Sequence, residues 1–73
     1  MTTEHADLQS EDLYMRLGVS PTSSPAEIRH AYRQLLRAYP PERYPEEFKR
    51  VREAYETLSG EESRASYDAK PDP

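Results

Sequence analysis

The chain has 73 residues, of which fourteen are acidic and ten are basic, for a formal net charge of −4. This length allows one small domain, and the absence of cysteine excludes disulfides and thiolate zinc sites. The acidic balance disfavours a general nucleic-acid binder, and the apolar runs are too short for a membrane span or a signal peptide. We therefore expect a soluble, cytoplasmic protein that binds neither membrane nor nucleic acid.

The N-terminal part of the chain predicts a disordered lead and then a short helix. Residues 1–9 are polar and show no period, which places His5 in a solvated tail. A helix is predicted over 10–19, with Ser10 as its cap and Gly18 as the left-handed residue that ends it. Its candidate packing residues are Tyr14, Leu17 and Val19, and Leu13 either shares that role or remains partly exposed. A turn over 20–23 follows.

The first long helix has a strong start signal. Ser24 is a cap, Pro25 suits the first helical position, and Glu27 completes a capping box. Pro40 should end the helix near residues 38–39, because proline disfavours helical geometry in the residue before it. Between these limits, apolar residues at i, i+3, i+4, i+7 and i+8 form a seam along one face: Ile28, Ala31, Tyr32, Leu35 and Leu36.

Three arginines follow one another at i+4 steps on the outer face of this helix. They are Arg29, Arg33 and Arg37, which we call the arginine stripe, and His30 lies alongside. With Glu27 as the only acid over 26–38, this segment carries +2 within a protein of net charge −4. Two interpretations remain open: an ordinary solvated helix face, or a docking surface for an acidic partner.

A second long helix is predicted from Pro45 to about Leu58, with Glu46 and Glu47 in its first turn. Its apolar seam consists of Phe48, Val51, Ala54, Tyr55 and Leu58. The i+4 spacing predicts surface ion pairs between Glu46 and Arg50 and between Lys49 and Glu53. We interpret the aromatic side chains of the two seams, Tyr32, Phe48 and Tyr55, as core residues rather than as a ligand cage.

A last short helix is predicted over 61–67. Gly60 is expected to end the preceding helix, and Ser59 with Glu62 offers a capping box. Tyr67 is the expected anchor of this helix against the rest, and 69–73 form a tail.

The two long helices are expected to form an antiparallel hairpin. The segment between them, 39–45, is short and bracketed by prolines, so the two seams must face each other. The prolines lack the P-x-x-P spacing of a recognised peptide ligand, which makes the turn structural first. The predicted fold is all-α, a small bundle of four helices around this hairpin.

The chain resembles the DnaJ-type J-domain family in several blocks that appear in order, with the family's gaps. These blocks are 12–19 (DLYMRLGV), 24–28 (SPAEI), 31–35 (AYRQL), 48–58 (FKRVREAYETL) and 64–68 (RASYD). The resemblance implies a J-domain-like helical domain over 10–68, between the lead and the tail. It also implies a protein partner of the DnaK chaperone class, whose ATP hydrolysis the family stimulates.

The family's functional motif, His-Pro-Asp, stands at the start of the loop between the long helices. The resemblance aligns its three positions with Pro40, Pro41 and Glu42. The middle proline is kept, and glutamate replaces aspartate. Proline replaces histidine, and it has neither a side-chain hydrogen-bonding group nor a backbone N–H. The motif is therefore degenerate.

The sequence leaves three functions open. The first is a J-like interaction module, without ordinary chaperone stimulation, that binds through the arginine stripe and Pro40, Pro41, Glu42 and Arg43. The second is an active co-chaperone that regulates its own DnaK-class chaperone through the stripe and Glu42. The third is a small nucleic-acid binder that uses the same arginines.

An enzyme is not expected, because the sequence lacks a cysteine nucleophile, a glycine-rich phosphate loop and metal-ligand spacing. No cofactor and no metal are expected either. We expect a monomer, or one part of a longer chain.

Overall fold

The computed structural model describes residues 6–69. Within them the chain forms four helices: α1 (Leu13–Leu17), α2 (Pro25–Ala38), α3 (Pro45–Ser59) and α4 (Glu61–Ala69). Helix α3 is the central element, because α1, α2 and α4 all pack against it. The predicted all-α bundle around an α2–α3 hairpin is confirmed. His5 and residues 70–73 lie outside the described residues.

Helix α1 begins later than the sequence predicts. Its N-cap is Asp12, whose carboxylate accepts hydrogen bonds from the amides of Tyr14 at 2.9 Å and Met15 at 3.4 Å. The prediction of Ser10 as the cap is therefore wrong. The Ser10 hydroxyl instead accepts a bond from the Asp12 amide at 3.1 Å and so supports the true cap. Gly18 ends the helix in the predicted left-handed conformation, with φ 74°.

Residues 6–10 form a strap across α1 and α3. The Asp7 amide donates to the Met15 carbonyl at 2.9 Å, and the side chains of Ala6 and Leu8 pack against the core. Arg50 on α3 donates to the Leu8 carbonyl at 2.6 Å. Residues 6–9 therefore make defined contacts, whereas the sequence analysis places them in a disordered lead. The domain boundaries as a whole remain a prediction.

Arg16 ties this strap to both helices from a buried position. Its side chain donates to the carbonyls of Ser10 at 3.0 Å and Arg50 at 3.2 Å. It also forms an ion pair with Glu53 at 2.9 Å. With only 4% of its surface exposed, the guanidinium is a buried charge, which a fold tolerates only when it is paired and hydrogen-bonded. The two carbonyls and the Glu53 carboxylate meet that requirement.

The ends of α2 follow their sequence signals. The Ser24 hydroxyl accepts from the Glu27 amide at 3.1 Å, and the Glu27 carboxylate accepts from the Ser24 amide at 2.7 Å. This is the predicted capping box, with Pro25 as the first helical residue. The helix ends at Ala38, before Pro40, as predicted. Pro45 likewise begins α3.

The core lies between α1, α2 and α3. It consists of nine buried apolar side chains: Leu13, Tyr14, Leu17, Ile28, Ala31, Leu35, Val51, Ala54 and Leu58. The remaining predicted seam residues are half-buried at the edge of the hairpin: Tyr32, Leu36, Phe48 and Tyr55. Two of them form a parallel stack across the hairpin, since the rings of Tyr32 and Tyr55 lie 4.0 Å apart at 5°. The packing supports their interpretation as structural residues.

Two local predictions for α3 and α4 are wrong. Ion pairs form between Arg52 and Glu56 and between Arg16 and Glu53, and neither predicted i+4 pair is among those found within residues 6–69. Ser59 makes no capping box. Instead, the Ser63 hydroxyl donates to the Thr57 carbonyl at 2.7 Å. Gly60 does end α3, but in an extended conformation with φ −87°.

Helix α4 is held by a polar network around Tyr14. The Tyr14 hydroxyl donates to the Asp68 carboxylate at 2.6 Å and accepts from Arg64 at 3.0 Å. Arg64 also donates to the carbonyls of Pro21 at 3.0 Å and Ser23 at 2.7 Å. Tyr67 is the predicted anchor, and its hydroxyl accepts from the Leu13 amide at 3.0 Å.

This network makes the stability of the fold depend on pH in the alkaline range. Burial raises the pKa of Tyr14 above its ordinary value of 10.0, and the bond to Asp68 raises it further, whereas Arg64 lowers it. A group whose pKa is higher in the folded state stabilises the fold below its unfolded pKa. That contribution to stability is lost as the pH rises through the pKa of the folded state.

We expect Tyr14→Phe to lower the free energy of unfolding by about 1–2 kcal/mol at pH 8, because the hydroxyl bonds two charged groups. This difference from the wild type should shrink above about pH 10, where the wild type loses the contribution of its Tyr14 hydroxyl proton. Urea titrations at pH 8 and at pH 11 measure both differences. Tyr44→Phe is the matched control, because Tyr44 is an exposed tyrosine. A Tyr14→Phe effect of equal size at both pH values would contradict the prediction.

Candidate partner-binding site

The arginine stripe lies on the solvent side of α2. The seam residues Ile28, Ala31 and Leu35 turn one side of the helix into the core, and this leaves Arg29, Arg33 and Arg37 exposed. At a rise of about 1.5 Å per residue, the stripe is roughly 12 Å long. His30 is also exposed, and its Nε2 atom lies 3.4 Å from the side-chain nitrogen of Gln34.

No carboxylate among the described residues forms an ion pair with the arginine stripe. Within residues 6–69, the ion pairs are Arg16–Glu53 and Arg52–Glu56, neither of which involves α2. Glu27, the only acid on the helix, is engaged in the capping box at the opposite end from Arg37. The stripe therefore presents three unneutralised guanidinium groups to solvent. Such a surface attracts an acidic partner and speeds its encounter, most strongly at low salt.

The turn between α2 and α3 continues the site directly beyond Arg37. We call residues Pro40, Pro41, Glu42 and Arg43 the corner. Pro40 is half-buried and the other three are exposed. The Pro40 carbonyl accepts from the amide of Arg43 at 3.0 Å and from that of Tyr44 at 2.8 Å. The corner is thus a closed turn that presents Glu42 to solvent beside a positive helix.

The corner contains a feature that the sequence analysis missed. The rings of Tyr39 and Tyr44, which flank it, meet edge to face with their centroids 5.3 Å apart and their planes at 80°. The signal was present as the repeated dipeptide Tyr-Pro at 39–40 and 44–45. Recognising it required knowledge of how the turn closes, since tyrosines five positions apart share no helical face.

No metal site accompanies the stripe and the corner. Within residues 6–69, no group of three or more His, Asp or Glu side chains is placed to hold a metal ion. The groove between α1, α3 and α4, of about 620 Å³, is lined by Arg16, Glu53 and Tyr67, among others. The polar groups of these three residues are already engaged in the fold. The predicted site residues all lie instead on α2 and in the corner, and all of them except Pro40 are exposed.

Comparison with known proteins identifies the family to which this chain belongs. A family model of the DnaJ domain matches residues 12–68, which span all four helices. The chain belongs to the DnaJ-domain family, and the expected fold and family are confirmed.

Several relatives are chaperone proteins named DnaJ. Those from Neisseria meningitidis serogroup B and Limosilactobacillus fermentum are 46% and 47% identical, each over 84% of this chain. That from Bacillus cytotoxicus is also 47% identical over 84% of this chain. These matches cover 18%, 17% and 18% of the relatives' own lengths, so the chain spans less than a fifth of the proteins it matches.

The described helices give no indication of a membrane span, since none of those within residues 6–69 is long and apolar enough. The alignment of Pro40, Pro41 and Glu42 with the family motif stays a prediction, as does the role of each candidate site residue.

Proposed function

We propose that this chain is a J-domain-like protein interaction module, related to co-chaperones, that does not stimulate a DnaK-class ATPase in the ordinary way. It docks a protein partner through the arginine stripe and the corner. It acts by binding and carries out no catalysis of its own. The proposed location is the cytoplasm, where the DnaK-class chaperones of bacteria are found.

The observation that carries this proposal is the chemistry of Pro40, the residue that we align with the motif's first position. Pro40 offers no side-chain donor or acceptor and no backbone N–H. Its only hydrogen-bonding group is its carbonyl, which already accepts bonds from the amides of Arg43 and Tyr44. A partner that requires a hydrogen bond from an imidazole at this place would leave its own polar group unpaired, at a cost of about 1–3 kcal/mol.

A second function is an active co-chaperone that pairs with its own DnaK-class chaperone. It is favoured by the unneutralised stripe and by the exposed carboxylate of Glu42, which has the same charge as the family's aspartate. That carboxylate stands one methylene further from the backbone, and charge-assisted hydrogen bonds depend on such distances. The second function therefore needs a chaperone surface that is adapted to Glu42.

The Pro40→His variant separates the two functions. The ATP turnover of a bacterial DnaK-class chaperone is measured with increasing amounts of the wild type or of the variant. We expect little stimulation by the wild type and at least severalfold more by Pro40→His. The substitution leaves the Pro40 carbonyl in place, so both of its hydrogen bonds can persist.

Pro21→His is the matched control, because it makes the same exchange at an exposed turn away from the corner. It should behave as the wild type does. Robust stimulation by the wild type would contradict the first function and favour the second.

A further inference from the structure

Two Tyr-Pro dipeptides fix the ends of the corner. Tyr39 has φ −129° and ψ 69°, and Tyr44 has φ −132° and ψ 64°, so the two backbones adopt nearly the same non-helical conformation. Each tyrosine precedes a proline, which disfavours the helical region for the residue before it. The chain therefore leaves α2 and enters α3 at two equivalent, sterically restricted points.

The two tyrosine rings join these points. They meet edge to face at 5.3 Å, an arrangement in which the positive edge of one ring faces the negative face of the other. Tyr39 is half-buried and packs against the core, whereas Tyr44 is 38% exposed. The inner ring is thus fixed by the bundle, and the outer ring is held by the inner one. We call this pair the aromatic bracket.

Hydrogen bonds close the backbone inside the bracket. The Pro40 carbonyl accepts from two amides, those of Arg43 and Tyr44, and the Tyr44 carbonyl accepts from the Phe48 amide at 2.9 Å. The first two bonds close the corner, and the third joins it to α3. Opening the bracket would free Tyr44, which takes part in two of these three bonds.

We infer that Tyr39 and Tyr44 are positioning residues for the docking site: they hold the corner in one conformation, so that Pro41, Glu42 and Arg43 are displayed before any partner arrives. This inference rests on the proposed function of the corner as a docking surface. Its physical basis is preorganisation. A loop that is already ordered does not lose conformational freedom on binding, and that saving appears as affinity.

The free chain tests the bracket without any partner. Hydrogen exchange at the amides of Arg43 and Tyr44, followed by NMR, reports how often the corner opens. Tyr44→Ala removes the ring contact and should speed exchange by about threefold to tenfold, the equilibrium change expected for one edge-to-face pair. Tyr44→Phe keeps the ring and should exchange at the wild-type rate. Amides in the middle of α3, such as that of the buried residue Ala54, serve as an internal control for the fold.

Binding tests the consequence. The probe is a bacterial DnaK-class chaperone in its ATP-bound state, titrated with each variant. Tyr44→Ala should weaken binding by about threefold to tenfold, and Tyr44→Phe should not. Tyr39→Leu makes the same test from the inner side, because it keeps an apolar side chain against the core but removes the aromatic ring. It should loosen the corner and weaken binding as Tyr44→Ala does, although the exposed ring of Tyr44 is still present.

Each unexpected result would contradict a different part of the inference. Unchanged exchange in Tyr44→Ala would overturn the bracket itself. Faster exchange with unchanged affinity would overturn its positioning role. Weaker binding by Tyr44→Ala but not by Tyr39→Leu would overturn it in favour of a direct contact by Tyr44. If the wild type binds no probe while the exchange results are as expected, docking on a DnaK-class chaperone fails and the positioning role for that partner falls with it, whereas the bracket as a structural element stands.

Discussion

Replacing Ile28 by alanine is expected to unfold a large share of the molecules, about half of them, at 25 °C. The Ile28 side chain is fully buried, with 0% of its surface exposed, in a core that it shares with Leu58 and Val51. Removing its outer carbons costs the lost burial and leaves a cavity, together about 2–5 kcal/mol. A domain of this size without disulfides or metal has only about 3–5 kcal/mol of net stability. The loss therefore equals much or all of what is available.

Circular dichroism at 222 nm during a urea titration measures this effect. We expect the Ile28→Ala midpoint to fall close to zero urea, and the helical signal in buffer to drop. Met15→Ala is the control, because Met15 is 52% exposed and a substitution there should cost less than about 0.5 kcal/mol. An Ile28→Ala variant with the midpoint of the wild type would mean that the α2 seam does not hold the core.

Reversing the charge of Arg33, at the centre of the arginine stripe, is expected to have the largest effect on docking. Arg33→Glu replaces an attraction to an acidic partner by a repulsion. Each surface charge pair is worth about 0.2–1 kcal/mol, and a reversal counts it twice, so binding should weaken by about twofold to thirtyfold at low salt. The loss should lie mainly in the association rate and should diminish as salt is added. The fold should persist, because Arg33 is exposed.

Association kinetics with a bacterial DnaK-class chaperone at two salt concentrations measure this change. Lys49→Glu is the matched control, since it alters the net charge equally on the exposed surface of α3. If Lys49→Glu and Arg33→Glu weakened binding equally, net charge alone would be responsible, and the stripe would be no more than a solvated face. Equal affinity of Arg33→Glu and the wild type would exclude the stripe from the interface.

The ends of the two long helices could be predicted because they depend on residues that are close together in the sequence. The capping box of Ser24 and Glu27 needs only residues three apart, and the prolines at 25, 40 and 45 restrict the backbone wherever they stand. The exposure of the stripe followed in the same way, since the helical period that buries Ile28 turns Arg33 outward.

The predictions that failed concern competition between equivalent groups. Ser10 and Asp12 are both good caps, and the choice between them depends on the turn that the strap makes before α1. Glu53 could pair with Lys49 one turn away, but Arg16 on another helix takes it. That partner is 37 positions distant in the chain. No periodicity indicates it, and a buried arginine has the stronger need for an acceptor.

The strap could not be predicted for a related reason. Its carbonyls are held by arginine side chains rather than by a regular ladder, so its sequence carries no repeat. The aromatic bracket could be predicted only in part. The repeated Tyr-Pro dipeptide is visible in the sequence, but the contact between the two tyrosine rings depends on the closed turn between them.

The two adjacent prolines also help to set the order of hydrogen-bond donors and acceptors along the proposed docking surface. Positions 40 and 41 have no amide hydrogen and the Pro40 carbonyl is already engaged by two amides, so Pro41 and the exposed Glu42 side chain offer only acceptors, whereas the helix before them displays guanidinium groups that only donate hydrogen bonds. A partner that docks on both parts is therefore expected to carry acidic groups against the stripe and N–H or O–H groups against Pro41 and Glu42. Rotated by half a turn, it would set donor against donor and acceptor against acceptor, so such polarity selects one mode of approach.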